Sequence, residues 1–288
     1  MTSLIRIPVF ILLAAVGLPA IADERPVTIK EFMDIDAPIR VIAHRGFSGQ
    51  APENTLIAIR QAIEVGADMV EIDVTVTADG HVILLHDETL DRTTDSAGLP
   101  TAKTLEEIRK LDAGSWFAPE YAGEGIPTLT EALETVKDRI LINVEIKSEA
   151  VEHGVVPKVA ALIIEHEMLD QVVVSSFSPK ALTQMKTVDP AVITATLFNK
   201  ELHTDLDPLE IIQEVGSREF NISGKRLTVA MVERCHRHSI PVAVYTVNEP
   251  DEMLRLIDMG VDAVFTDHPD LMIEALAKGS NALVANAD

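Results

Sequence analysis

The chain has 288 residues, 47% of them hydrophobic and 24% charged, with a formal net charge of −22 at pH 7. That composition supplies core for one large domain or two small ones. So acidic a surface repels polyanions and excludes DNA and RNA as partners, but not a small anionic ligand, because screening over about 8 Å lets local charges dominate.

The first residues read as an export signal. Arg6 precedes the apolar stretch Pro8 to Leu18, and Ala20-Ile21-Ala22 forms an Ala-x-Ala cleavage site before Asp23. Residues 1–22 are therefore expected to be removed, leaving a periplasmic or secreted protein. The stretch is short of the about 20 residues that span a bilayer, and no cysteine near the cleavage site offers lipid attachment. The single cysteine, Cys235, permits no intramolecular disulfide and falls in a helical pattern as a core residue.

From residue 23 to 279, short β-branched runs alternate with amphipathic patterns, as in a parallel α/β fold. Strands are predicted at 40–44, 69–76, 82–86, 140–147, 171–177, 191–197, 218–222, 241–247 and 261–266. The helical pattern Leu56, Ile59, Ala62, Ile63 stops at Gly66. Another follows Pro127 at Thr128-x-x-Glu131, a capping box, and Ser178-Pro179 and Asn248-Glu249-Pro250 begin two more. Nine strands exceed the eight of a (β/α)₈ barrel. The second and third, however, are separated only by a turn around Ala78-Asp79-Gly80, too short for a parallel crossover. They are predicted to form an antiparallel hairpin arm, which leaves eight parallel strands. Folding about Asp79 places His86 roughly across from Asp73.

Residues 88–126 form the one long segment without a β/α unit. They carry a short helical stretch near Leu105 to Leu111 and the aromatics Trp116, Phe117 and Tyr121. This insertion either covers the mouth of a site or packs as a surface excursion. The tail, 280–288, is small and polar and is expected to be disordered.

Charged and imidazole groups at the ends of buried strands are costly unless a partner or metal repays their desolvation. Four strands carry them: His44-Arg45 after Val41-Ile42-Ala43, Glu71 and Asp73, His86-Asp87, and Glu145 with Lys147. In Val70-Glu71-Ile72-Asp73-Val74 the carboxylates share one face and the apolar residues the other; Asn143-Val144-Glu145-Ile146-Lys147 repeats the alternation. In a barrel the polar face points inward. Three such carboxylates repel unless a cation lies between them, and hard oxygen donors favour Ca²⁺ or Mg²⁺ over zinc. A buried salt-bridge network with Arg45 and Lys147 is the alternative. His44 and His86 suit general acid and base work near neutral pH, with their two roles interchangeable in sequence, and His86 could instead touch the metal. Arg45 and Lys147 suit phosphate oxygens. The set fits metal-assisted phosphodiester cleavage. The other histidines (81, 153, 166, 203, 236, 238, 268) lack such surroundings and read as surface or packing groups.

The ordered motifs resemble the glycerophosphodiester phosphodiesterase family over nearly all of the mature chain. They are Ala43-His44-Arg45-Gly46, Pro52-Glu53-Asn54-Thr55, Gly66-Ala67-Asp68, Glu71-Ile72-Asp73-Val74, Thr77-x-Asp79-Gly80, His86-Asp87, Asp91-Arg92-Thr93-Thr94, Ile126-Pro127-Thr128-Leu129, Glu145-Ile146-Lys147, Thr246-Val247-Asn248 and Thr266-Asp267-x-Pro269. The resemblance implies a phospholipase-C-like (β/α)₈ barrel with Glu71, Asp73 and Glu145 as metal ligands and His44 and His86 as the acid/base pair. It also implies phosphate binding by Arg45 and Lys147. Glu53 and Asn54 would shape the loop under the site, with a helix N-cap as the alternative role for Asn54. The family usually has Trp before Thr-Val-Asn; Tyr245 stands here and would form an aromatic wall on the glycerol side.

The implied substrate is a small glycerophosphodiester, cleaved to glycerol 3-phosphate and an alcohol. A lysophospholipase D or sphingomyelinase D type of lipid hydrolase is the enzymatic alternative, which would need an apolar surface such as Trp116, Phe117 and Tyr121 at the mouth. A non-catalytic extracytoplasmic binding protein on the same barrel is the third. No stable membrane insertion is expected after signal cleavage, and oligomeric state is open.

Overall fold

The computed structural model describes residues 28–199 and 207–285, so the export signal lies outside the described residues. Eight parallel strands close a barrel: β1 (Arg40–Ala43), β2 (Met69–Val76), β4 (Leu141–Ile146), β5 (Val172–Ser176), β6 (Ile193–Phe198), β7 (Glu219–Ser223), β8 (Val242–Tyr245) and β9 (Ala263–Thr266). Closure comes from β1, which pairs with both β2 and β9. The ninth strand, β3 (Val82–Leu84), runs antiparallel to β2, with Val74, Thr75 and Val76 opposite Leu84, Ile83 and Val82. That register sets Leu85, whose N–H donates to Asp73 O at 3.0 Å, opposite Asp73. The arm thus folds about Asp79 as expected, with His86 next to the residue that faces Asp73.

The helices begin and end where the sequence supplies chemistry for their free backbone groups. In α2 (Leu56–Val65), Thr55 accepts from Ala58 N and Gly66 closes the helix at φ 90°. Thr128 and Glu131 complete the capping box of α4 (Leu129–Val136). Ser178-Pro179 opens α6 (Pro179–Val188), and Glu249-Pro250 opens α9 (Pro250–Asp258). The outer ring is completed by α5 (Val155–Glu165), α7 (Pro208–Val215), α8 (Val229–His236) and α10 (Pro269–Ala285), the last of which runs into the segment expected as a tail. Residues 286–288 lie outside the described residues. Among the described residues no helix is long and apolar enough to cross a membrane.

Side-chain alternation divides each strand between two environments. Outward residues such as Val70, Ile72, Val74, Ile142 and Val144 pack with Ile59, Ala62, Leu129 and Leu133 of the helices. Inward residues stack in layers, as the inter-strand registers require. Ile42, Asn143, Ala195 and Ala243 form one layer, with Glu71, Ser175, Asn221 and Phe265 above it. His44, Glu145, Leu197 and Tyr245 come next toward the strands' carboxyl ends. The opposite end is plugged by α1 (Ile29–Phe32), whose Ile29 and Phe32 join Met69, Leu141, Val173 and Ala263 in an apolar cluster. Thr28 and Glu31 cap this one-turn helix, and Ile29 N donates to Asp170 O at 2.8 Å.

The insertion holds α3 (Leu105–Ile108) and builds a small core of its own. Leu90, Ile108, Ala113 and Ile126 pack there on Ile83 and Leu85. Trp116, Phe117 and Tyr121 do cluster, edge to face, at 5.7 and 5.6 Å between ring centroids.

Candidate active site

The chain must turn sharply after β1 to bring His44 and Arg45 to the barrel mouth. Arg45 adopts φ 55° and Gly46 φ 82°, a left-handed pair that costs a side-chain-bearing residue of order 1–3 kcal/mol. At Gly46 any Cβ would lie 2.6 Å from the Ala58 backbone, so only glycine fits. The turn aims Arg45 N at Glu71 Oε2, 2.9 Å away, and Gly46 N at Glu71 O, 3.2 Å away. Glu71 Oε1 is buried with no partner among the described residues.

Glu71, Asp73 and Glu145 converge, offering ligand oxygens that all lie within 4.8 Å of one another. Lys147 Nζ sits between two of them, 2.8 Å from Glu145 Oε1 and 3.3 Å from Asp73 Oδ1, and Arg45 Nε is 3.4 Å from Asp73 Oδ2. Asn54 grips Asp73 twice: Nδ2 donates to Oδ2 at 2.9 Å, and Oδ1 accepts from Asp73 N at 3.0 Å. Asn54 therefore orients a carboxylate rather than capping α2, a task that belongs to Thr55.

The electrostatics separate the three acids. Burial pushes Asp73 up, yet Lys147 and Arg45 outweigh it and hold the group at about 2. Burial and then Asp73 push Glu145 up to about 7. Burial, Asp73 and Glu145 push Glu71 well above the carboxylate range. Two fixed cations thus face three carboxylates, which leaves the cluster short of positive charge. The donor set is all hard oxygen and one buried oxygen is unpartnered, so a hard divalent cation fits both the missing charge and the free ligand atom.

His44 and His86 flank the cluster. His44 Nδ1 lies 2.6 Å from Asp267 Oδ1, which leaves Nε2 facing Glu71 at 4.0 Å. Asp267 is itself held by Ser48 Oγ at 2.8 Å and Asn248 Nδ2 at 2.6 Å. His86 Nδ1 lies 2.7 Å from Asp87 Oδ1. Burial lowers the His86 pKa, against Asp73, which raises it. Both rings line a cavity of about 180 Å³ with Arg45, Glu71 and Glu145 on one side and Phe177, Leu197, Tyr245 and Phe265 on the other.

Tyr245 is a wall residue. Its hydroxyl donates to Phe198 O at 2.8 Å, and its ring meets Phe177 and Phe265 edge to face. Lys147 is not on the cavity surface; it reaches the site through the carboxylates. The insertion supplies no residue to the lining of the cavity. It reaches the site through Arg92, which binds Glu53 and Asp87; Tyr121 Oη donates to Gln50 O in the loop after β1. Glu53 also accepts from Arg45 Nη1 at 2.8 Å.

The sequence alone gives no site role to Asp267, Asn248, Ser48, Arg92 or Phe177. Asp267 had the same signal as His44, a charged group directly after an apolar strand. Arg92 and Asn248 lie inside the family-like motifs but on loops, where no periodicity reveals a direction.

A parallel barrel with its polar residues gathered at the carboxyl mouth has the layout of a (β/α)₈ enzyme. The model of the glycerophosphoryl diester phosphodiesterase family matches residues 44–271, and the chain belongs to that family. It is similar to a glycerophosphodiester phosphodiesterase of Caldanaerobacter subterraneus subsp. tengcongensis, 38% identical over 241 residues, which cover 83% of this chain and 98% of the relative. A Bacillus subtilis glycerophosphodiester phosphodiesterase is 34% identical over 265 residues, 85% of this chain and 90% of the relative. A solved Oleispira antarctica phosphodiesterase, in complex with the product sn-glycerol-3-phosphate, superposes with a TM-score of 0.78 at 34% identity, covering 83% of this chain and 96% of that one.

Proposed function

We propose that this protein hydrolyses glycerophosphodiesters to glycerol 3-phosphate and an alcohol, with a divalent cation, Ca²⁺ or Mg²⁺, held by Glu71, Asp73 and Glu145. The observation that carries this is the meeting of two histidines with Glu71 and Glu145 around one small cavity, Asp73 completing the carboxylate cluster. The family relationship supports the substrate class, as does the product held by the Oleispira antarctica relative. A cation so placed would offset charge developing on the phosphate and acidify an adjacent hydroxyl.

Arg45 faces the cavity and meets phosphate oxygens there, while Lys147 fixes Glu145 and Asp73 from behind. Each histidine has Nδ1 engaged by a carboxylate, which leaves Nε2 for proton transfer. One takes the proton of the nucleophile, either water or the neighbouring glycerol hydroxyl; the other gives a proton to the departing alcohol. Tyr245 and Phe177 form the apolar wall against which the glycerol carbons lie. The lipid-hydrolase alternative needs an apolar mouth, and the Trp116 cluster that would provide it lies off the cavity.

His44→Ala and His86→Ala should each lower kcat for glycerophosphocholine by about 10²–10⁴-fold while keeping metal-dependent thermal stabilisation. Full turnover by either variant refutes the reading. The protein acts outside the cytoplasm after loss of residues 1–22. N-terminal sequencing of the exported form should begin at Asp23, and a mature chain that keeps Met1 contradicts this.

A further inference from the structure

One side chain of the insertion reaches the site without lining the cavity. Arg92 donates through Nε and Nη2 to Asp87 Oδ2 and Oδ1, at 2.6 and 2.9 Å. Through Nη1 and Nη2 it also donates to Glu53 Oε2 and Oε1, at 2.7 and 2.8 Å. The guanidinium fork thus clamps two carboxylates at once, a geometry open to arginine and closed to the point charge of lysine. Each carboxylate passes the contact on. Asp87 Oδ1 lies 2.7 Å from His86 Nδ1, and Glu53 Oε1 accepts from Arg45 Nη1 at 2.8 Å. Trp116 bears on the clamp from the insertion side, its ring centroid 5.9 Å from Arg92 Cζ.

Exposed arginine–carboxylate pairs are ordinarily worth little. Here the Glu53 side chain is only 12% exposed and is fixed from its other side by Arg45, so Arg92 has a rigid anchor. The hydrogen bonds from Arg92 also keep Asp87 well below the usual carboxylate range, and so charged and able to accept from His86.

We propose that Arg92 is a positioning residue: anchored on Glu53, it holds Asp87 so that the His86 ring keeps Nδ1 engaged and Nε2 turned to the cavity. The proposal rests on the reading of His86 as an acid/base group. Displacing a reacting group by about 1 Å can cost about 10²-fold in rate, so loss of the clamp should reach kcat although Arg92 never meets the substrate.

The test is a double-mutant cycle on kcat for glycerophosphocholine with wild type, Arg92→Met, His86→Ala and the double variant. Arg92→Met should lower kcat about 10- to 100-fold in the wild-type background and less than about twofold when His86 is already absent. Arg92→Lys should resemble Arg92→Met, because charge alone does not restore the fork. An equal loss in both backgrounds, or turnover within about twofold of wild type for Arg92→Met, overturns the proposal. Unimpaired His86→Ala instead condemns the acid/base reading on which it stands. If Arg92→Met does not fold, Asp87→Asn takes its place in the cycle with the same expected and overturning results.

Discussion

The barrel buries carboxyl groups at both its mouth and its floor, and they behave differently. Glu219 opens β7 pointing inward toward the floor, 1% exposed, with Oε2 unpartnered among the described residues. Burial, with a smaller contribution from Asp262, pushes it up to about 8. It therefore stays protonated at neutral pH among apolar neighbours. At the mouth, comparable burial acts on Glu71, Asp73 and Glu145, but Lys147, Arg45 and Asn54 converge there too. Asp73 remains ionised, and the group as a whole lacks a positive charge. Burial of an acid is therefore no sign of a site. Convergence with fixed cations and a free ligand oxygen is.

If floor and mouth are separate in this sense, damage to the floor should cost stability and spare chemistry. Phe32→Ala removes the 3% exposed plug side chain and should cost about 3–5 kcal/mol of unfolding free energy, with kcat unchanged in the folded fraction. Denaturant melts and turnover at low temperature check both halves. A large fall in kcat would show that floor and mouth are coupled.

Glu219→Gln sharpens the contrast through pH. Glu219 rises from 4.5 to about 8 on folding, so its favourable contribution is complete below pH 4.5 and is lost as pH rises to about 8. The glutamine variant, which cannot ionise, should match wild type near pH 4 and gain on it up to pH 8. The gain should be on the order of 1–3 kcal/mol, reduced by the amide left to find a partner. Thermal melts across that range decide it, and a gap independent of pH would remove Glu219 from the account.

Tyr245→Phe probes the boundary and should do least. It deletes the hydrogen bond to Phe198 O, costing about 0.5–1.5 kcal/mol, and keeps the ring against Phe177 and Phe265. Activity on glycerophosphocholine should stay within about twofold, since the wall is the ring; a tenfold loss would mean that the hydroxyl meets the substrate.

This contrast also explains what could be read without coordinates. All nine strand segments were legible, because β-branched runs bounded by turn residues must pair or be buried. The mouth was legible because Glu71, Asp73 and Glu145 break an apolar face at period two, which leaves a single direction for them. Residues that act from loops were not. Asp267 and Arg92 take their direction from turns. The floor plug was missed because four residues are too few to show a period; only Thr28-x-x-Glu31, a capping box, marked it. The insertion's relation to the cavity depended on which core it packed against, and its aliphatic residues pack on Ile83 and Leu85.

The most direct test of the central claim is removal and return of the metal. With glycerophosphocholine as substrate and glycerol 3-phosphate as the measured product, a chelator should abolish turnover, and Ca²⁺ or Mg²⁺ should restore it and raise the melting temperature. Glu71→Gln and Glu145→Gln should lose both responses. Undiminished turnover in excess chelator would contradict the account.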